Sequence, residues 1–197
     1  PSEQETAIKR VSGIAQREFG KRKRDRGRVI YRFLSALTCR GPVSFPETAL
    51  TLCSRFYILE NRLRLGSPAL ACLARAASDA GHDSIVCPDP LIPESPEALL
   101  LPSLGLGFIC SDSPLAAIPR ARHIRLDALT DTKRVKKARP ELRRCEKTCA
   151  ALLGDACAAL SEAKRLHDKI ESLFNPLVDF SGVSQLSAEH IASLGLA

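Results

Sequence analysis

The stretch Tyr57-Ile58-Leu59-Glu60-Asn61-Arg62-Leu63-Arg64-Leu65-Gly66-Ser67-Pro68-Ala69-Leu70 decides how the chain is read. An apolar triplet runs into a short polar turn. A helical pattern follows at 68–80, with Leu70, Leu73, Ala74 and Ala77 on one face and Gly81 as its stop. A second short apolar run, 84–87, comes next. Strand, tight loop, helix and strand in that order are the local plan of a phosphate-binding loop. Laid over G-x-x-x-x-G-K-[ST], the segment puts Asn61 at the first glycine and Gly66 at the second. Ser67 stands at the lysine and Pro68 at the magnesium-binding hydroxyl. The scaffold is expected to remain, and much of its nucleotide-binding chemistry to be lost.

Outward from this loop, residues 29–38 read as one strand ending in the turn signal Cys39-Arg40-Gly41-Pro42. Residues 46–51 suggest a short helix entered from Ser44, leading to a strand at 55–59. Pro68 suits a first helical position, where its missing N–H costs nothing. The segment 87–96 holds Pro88, Pro90, Pro93 and Pro96 without periodicity and reads as a loop. Two further apolar runs, 98–101 and 106–110, are separated by Pro102 and Gly105. The second delivers Asp112 to the end of its strand. Short buried strands alternating with helices predict an α/β fold: a mostly parallel sheet with helices on both faces.

The last third differs in kind. Leu142, Cys145, Cys149, Leu152, Ala156, Ala159, Ala163, Leu166, Ile170, Leu173 and Leu177 recur at alternating steps of three and four, with charged residues mainly off the stripe. A long amphipathic helical segment is expected, or two helices broken near Gly154. Its small central residues bury little area each, so packing on its own domain or on a sister domain is favoured over an autonomous coiled coil. His167 is expected to be exposed or capping rather than a ligand.

Composition bounds the remaining readings. A chain of 197 residues, 45% hydrophobic and 26% charged, suits one substantial core with an appendage. There is no methionine, even at position 1, which suggests a fragment or a processed chain. No apolar run approaches the ~18 residues of a membrane span and no secretion signal is recognisable; the expected compartment is the cytoplasm, with no membrane partner. The eight cysteines contain no C-x-x-C pair and mostly sit in apolar stretches, which fits reduced core thiols. Cys145 and Cys149 could share a metal with Cys157 or His167, but the spacing matches no common zinc pattern, and no metal is expected. The net charge of +7 is concentrated at 20–32, where seven lysines and arginines face Asp25 alone. That block reads as a solvated linker after an N-terminal helix at about 3–19; its alternative reading is phosphate-backbone contact with nucleic acid or another polyanion through 21–32, and with Tyr31 as the one ring beside the run, specific single-strand recognition is poorly supported. The division that follows is 1–28 for helix and basic linker, 29–132 for the α/β domain and 133–197 for the helical segment.

Several blocks in order resemble one family. They are Arg32-Phe33-Leu34-Ser35-Ala36-Leu37-Thr38 with Gly41 and Pro42, Tyr57-Ile58-Leu59 with its loop and helix, and Ala80-Gly81-His82-Asp83. Cys87, Pro102-Ser103-Leu104-Gly105, Ser111-Asp112, Ala163-Lys164-Arg165-Leu166-His167-Asp168 and Val178-Asp179-Phe180 continue the series. Over about 150 residues the chain resembles the C-terminal half of a family of little-characterised bacterial proteins built from two P-loop ATPase-like domains in tandem. The resemblance implies a P-loop NTPase-like fold, ATP and magnesium on the loop, and an N-terminal sister P-loop domain as partner; a homo-oligomer is the other partner expected.

Carried over residue by residue, only Gly66 is intact. Asn61 is expected to adopt the left-handed conformation that a glycine supplied. Arg64 falls where relatives often have another glycine, and Asp112 looks like the acid of a Walker B-like strand. The candidate binding residues are therefore Asn61, Arg62, Arg64, Gly66, Ser67 and Asp112, with no catalytic residue. The expectation is weak ATP and magnesium binding at most, weak or no hydrolysis, and a structural or regulatory role. A non-standard nucleotide or anion site using Arg62 and Arg64 is the alternative, because a helix N-terminus favours anions.

Overall fold

A computed structural model describes residues 2–20 and 25–195. The chain is α/β. Helix α1 (Glu3–Phe19) opens it, closed at its start by a capping box in which Ser2 and Glu5 exchange backbone and side-chain hydrogen bonds. Ala7, Val11, Ile14, Ala15 and Phe19 form its buried face, the three-and-four spacing of an amphipathic helix. Strands β1 (Val29–Tyr31), β2 (Ser35–Thr38) and β3 (Gly41–Ser44), helix α2 (Pro46–Leu52) and strand β4 (Arg55–Leu59) follow. Next come α3 (Gly66–Asp79), β5 (Ser84–Pro88), β6 (Pro96–Leu101), β7 (Leu106–Cys110) and β8 (Arg122–Ile124). Helices α4 (Thr132–Phe174) and α5 (Phe180–Ser193) end the chain.

Six strands form one sheet in the order β1-β5-β6-β7-β4-β8. Five run in one direction, and β6 alone runs against its neighbours β5 and β7. The reason is chain length: residues 102–105 join β6 to β7, and a parallel crossover needs about a dozen residues. Gly105 takes φ 59° to make that turn.

Each face of the sheet has its own core. On one, Leu59, Leu99, Leu101 and Phe108 meet Leu70, Leu73 and Ala77 of α3 and the apolar face of α1. Tyr57 stacks on Phe108 with ring centroids 5.2 Å apart, and its hydroxyl donates to Glu18 at 2.6 Å, tying α1 to the sheet. On the other face Phe56, Ile58, Leu100 and Ile109 pack under Leu34, Ala49 and Leu115. Truncating a fully buried leucine such as Leu70 or Leu100 to alanine costs about 2–5 kcal/mol.

Three local outcomes differ from the sequence reading. The strand expected at 29–38 is two: β1 pairs with β5, whereas β2 pairs with β3 in a separate hairpin around Cys39 and Arg40. The β5 partner runs out at Pro88, which has no N–H to extend the ladder. The proline-rich stretch contributes its two ends to strands, Pro88 to β5 and Pro96 to β6. The described end of the basic block is docked: Arg26 pairs with Asp79 at 2.9 Å, and the Arg28 amide donates to Asp83 at 2.7 Å. Gly27 lies so close to His82 that a Cβ there would stand 2.0 Å from the His82 carbonyl oxygen. Residues 21–24, the centre of that block, lie outside the described residues.

Helix α4 begins before the expected stripe, capped by Asp131, and runs 43 residues through Pro140 and Gly154 without a break. At 1.5 Å per residue that is roughly 65 Å. Val135, Leu142, Leu153, Ala156 and Cys157 are half-buried; every residue from Ala158 to Gly195 is exposed. Leu166, Ile170 and Leu173 thus stand on an open face. No helix among the described residues is long and apolar enough to cross a membrane.

Candidate functional site

Strands β4 and β7 lie side by side and parallel, with Leu59 opposite Cys110. The two chain ends that leave them, 60–65 and 111–113, therefore emerge together at one edge of the sheet. The Ser111 amide donates to the Leu59 carbonyl at 2.8 Å, and the Asn61 amide donates to Ser111 Oγ at 3.0 Å.

Asn61 is the hub. It is 2% exposed. Its Nδ2 donates to both carboxylate oxygens of Asp112, at 2.8 and 3.0 Å, and its Oδ1 accepts from the Gly66 amide at 2.6 Å. Gly66 is the first residue of α3, so the first amide of that helix is already bonded to a side chain of the loop. A Cβ on Gly66 would meet Asn61 Oδ1 at 2.8 Å and Cys110 Sγ at 2.9 Å, which explains glycine at that position.

The left-handed residue of the loop is Arg64, with φ 60°, and Asn61 is not among the positive-φ residues. The expectation that Asn61 replaces a glycine by its conformation is thereby corrected: it acts through its amide group. The strained conformation falls on Arg64. Its guanidinium reaches Asp112 at 3.6 Å and Asp89 at 3.9 Å. Arg62 turns away and pairs with Glu146 of α4 at 3.2 Å. Ser67 is buried at the second helical position, and Pro68, third in the helix rather than first, presents no amide hydrogen.

The reversal of β6 adds a group that the sequence reading missed. Because β6 starts at the edge where β5 and β7 end, Glu97 joins Asp89 and Asp112 beside the loop. Glu97 is 5% exposed; Ser35 donates to one of its oxygens at 2.5 Å and Ser113 to the other at 2.7 Å. Burial pushes its carboxyl above the usual carboxylate range, against the two serine hydrogen bonds, and the charges of Asp89 and Asp112 push the same way. Cys110 is pushed up to about 12, chiefly by burial. A charged residue leading the apolar run 98–101 was the available signal for Glu97.

These groups line a cavity of about 340 Å³ whose apolar walls include Leu37, Val43 and Leu91, with Leu153 of α4 also lining it. Its polar lining includes three carboxyls, with Arg64 reaching two of them. Five of the sequence-selected residues, Asn61, Arg64, Gly66, Ser67 and Asp112, thus belong to one constellation, and Arg62 lies outside it. Among the described residues, the group of three potential metal ligands brought within reach of one another is His167, Asp168 and Glu171, all exposed on α4. His167 is exposed, as expected, 3.5 Å from Glu171.

The chain matches no known protein-family model, and no curated protein and no solved structure resembles it significantly.

Proposed function

We propose that this chain is a P-loop ATPase-like domain that has lost its grip on triphosphate and serves a structural or regulatory role beside a catalytically competent sister domain. The observation that carries the reading is the Asn61 bridge, which fills the cradle from inside by joining the Gly66 amide to Asp112. The chain just past the parallel neighbour strand, where Asp112 follows the end of β7 at Cys110, is the expected place for a Walker B-like acid. Asp112 faces an amide and a guanidinium rather than a metal-binding hydroxyl.

The electrostatics support the same reading. A triphosphate entering this cavity meets the carboxyls of Asp89 and Asp112, which share the single guanidinium of Arg64, and no lysine lines it. Charged hydrogen bonds are worth about 1.5–3 kcal/mol each, so losing two moves a micromolar site of about −8 kcal/mol toward the millimolar range. Hydrolysis suffers further, because positioning and charge stabilisation are nearly all that such a site contributes. The anion-site alternative is weakened by the same geometry, since Arg62 and Arg64 already face carboxylates.

A phosphate-release assay on the isolated chain tests the proposal. The expected result is no magnesium-dependent release from ATP above the protein-free rate. Sustained turnover abolished by Asp112→Asn would overturn it.

A further inference from the structure

The end of α4, from Ala158 to Phe174, stands in water. Leu153 lines the loop cavity and Cys157, one turn on, is half-buried, so that face of the helix belongs to the domain. The apolar stripe lies about 120° round from it, at 3.6 residues per turn, and is open. On or beside the stripe, Leu152, Leu166, Ile170, Leu173, Phe174 and Leu177 are between 48% and 81% exposed. Two copies of these residues hold on the order of 1,200 Å² of exposed surface, as much as a specific interface buries. Half of that, on one chain, is already at the top of the range for a monomer's largest apolar patch.

The order of sizes along the stripe indicates what covers it. Its first half is small, with Ala156, Ala159 and Ala163, and its second half is large, with Leu166, Ile170 and Leu173. Two parallel copies would stack alanine on alanine in one half and leucine or isoleucine on its like in the other. Helix axes approach to about 8 Å over small residues and stand about 10 Å apart over large ones, so such a pair splays. Antiparallel copies crossing midway between Ala163 and Leu166 instead set Ala156 against Leu173, Ala159 against Ile170 and Ala163 against Leu166, each twice. Every level then holds one large and one small residue, and a single axial separation serves them all. The alternating steps of three and four make each of these pairs an a position facing a d position. The flanking charges agree. Glu162, which pairs with Arg165 on its own helix, and Lys169 are seven residues apart and so stand on the same side of the stripe. The same crossing sets Glu162 of each copy beside Lys169 of the other.

We propose that this stripe is the interface of an antiparallel, two-fold symmetric dimer of the chain. The patch is its own complement, so the pairing closes at two copies. It does not rest on the reading given for the loop.

Sedimentation equilibrium of the full chain between about 1 and 100 μM tests it. The wild type is expected to approach twice its 21.4 kDa as concentration rises. Ile170→Lys sets a cation against Ala159 of the other copy at two levels and should return the chain to a monomer. Melting of the α/β domain should stay unchanged, because Ile170 is exposed in the single chain. Glu162→Lys and Lys169→Glu each place like charges across the seam and should weaken self-association at least roughly 5-fold. An equimolar mixture of those two variants restores opposite charges at both contacts and should dimerise like the wild type. A wild type that stays monomeric at the highest concentration overturns the proposal and leaves the stripe to a different protein. A dimer that survives Ile170→Lys overturns it as well, since another face then holds the copies together. Charge variants that gain nothing on mixing do the same for the antiparallel register.

Discussion

Replacing Asn61 by alanine removes three hydrogen bonds at once: two from its Nδ2 to Asp112 and one accepted from the Gly66 amide. The bonds to the carboxylate are charge-assisted, worth about 1.5–3 kcal/mol before screening. Asp112 is 41% exposed in its side chain and recovers water, which discounts that share. The Gly66 amide is left without its partner at the buried start of α3, at a cost of about 1–3 kcal/mol. The sum is roughly 2–4 kcal/mol, or a fall of about 5–15 °C in melting temperature for a chain of this size. Differential scanning calorimetry near neutral pH reads it directly. Asn61→Asp sharpens the test, since it keeps the shape but sets a second carboxylate against Asp112. Like charges raise the folded-state pKa of that pair, so its stability should recover as pH falls through the carboxylate range. A fall of less than about 2 °C for Asn61→Ala would refute the argument that this bridge holds the loop closed.

Other outcomes follow from the same structure. Glu97 has its folded-state pKa raised by burial, so the unfolded chain ionises first and wild-type stability declines as pH climbs from the ordinary carboxylate range through the raised value. Glu97→Gln should remove that decline, seen as a melting-temperature gain over wild type that grows from acid to neutral pH. Glu18 behaves oppositely: the Tyr57 hydroxyl and Arg55 hold its carboxyl low, so its contribution is present above the unfolded value and disappears on acidification through the folded one. Tyr57→Phe should cost about 1 kcal/mol and speed amide exchange in α1. Gly27→Ala forces a methyl into the His82 carbonyl, and hydrogen exchange should reveal loosening of β1 with little change in β4 or β7.

Much of the fold was legible because local signals and tertiary needs agree. The turn at Cys39 and Arg40, the helix stopping before Gly81 and the acid after β7 are all set by neighbours in sequence. The reversed β6 was not read, although the short Pro102–Leu104 link forbids a parallel connection. That one direction decides whether Glu97 faces the loop or the opposite edge, so missing it also hid Glu97; Asp89, inside the proline-rich stretch read as a loop, was not selected either. The exchange of roles between Asn61 and Arg64 lay beyond pattern reading. Which residue takes a left-handed φ depends on where the buried Asn61 amide must reach, and that is settled by Asp112, fifty-one residues away. The end of β1 at Tyr31 likewise depends on a proline in its partner.

The central claim is that a plugged cradle without lysine or hydroxyl cannot hold magnesium-ATP. Isothermal titration of magnesium-ATP into the wild-type chain and into the variant Asn61→Gly, Arg64→Gly, Ser67→Lys, Pro68→Ser measures it most directly. The wild type is predicted to bind in the millimolar range or weaker, and the variant, with the bridge removed and the lysine and the magnesium-binding hydroxyl restored, at least about tenfold more tightly. Micromolar binding by the wild type, or no gain in a variant that remains folded, contradicts the account.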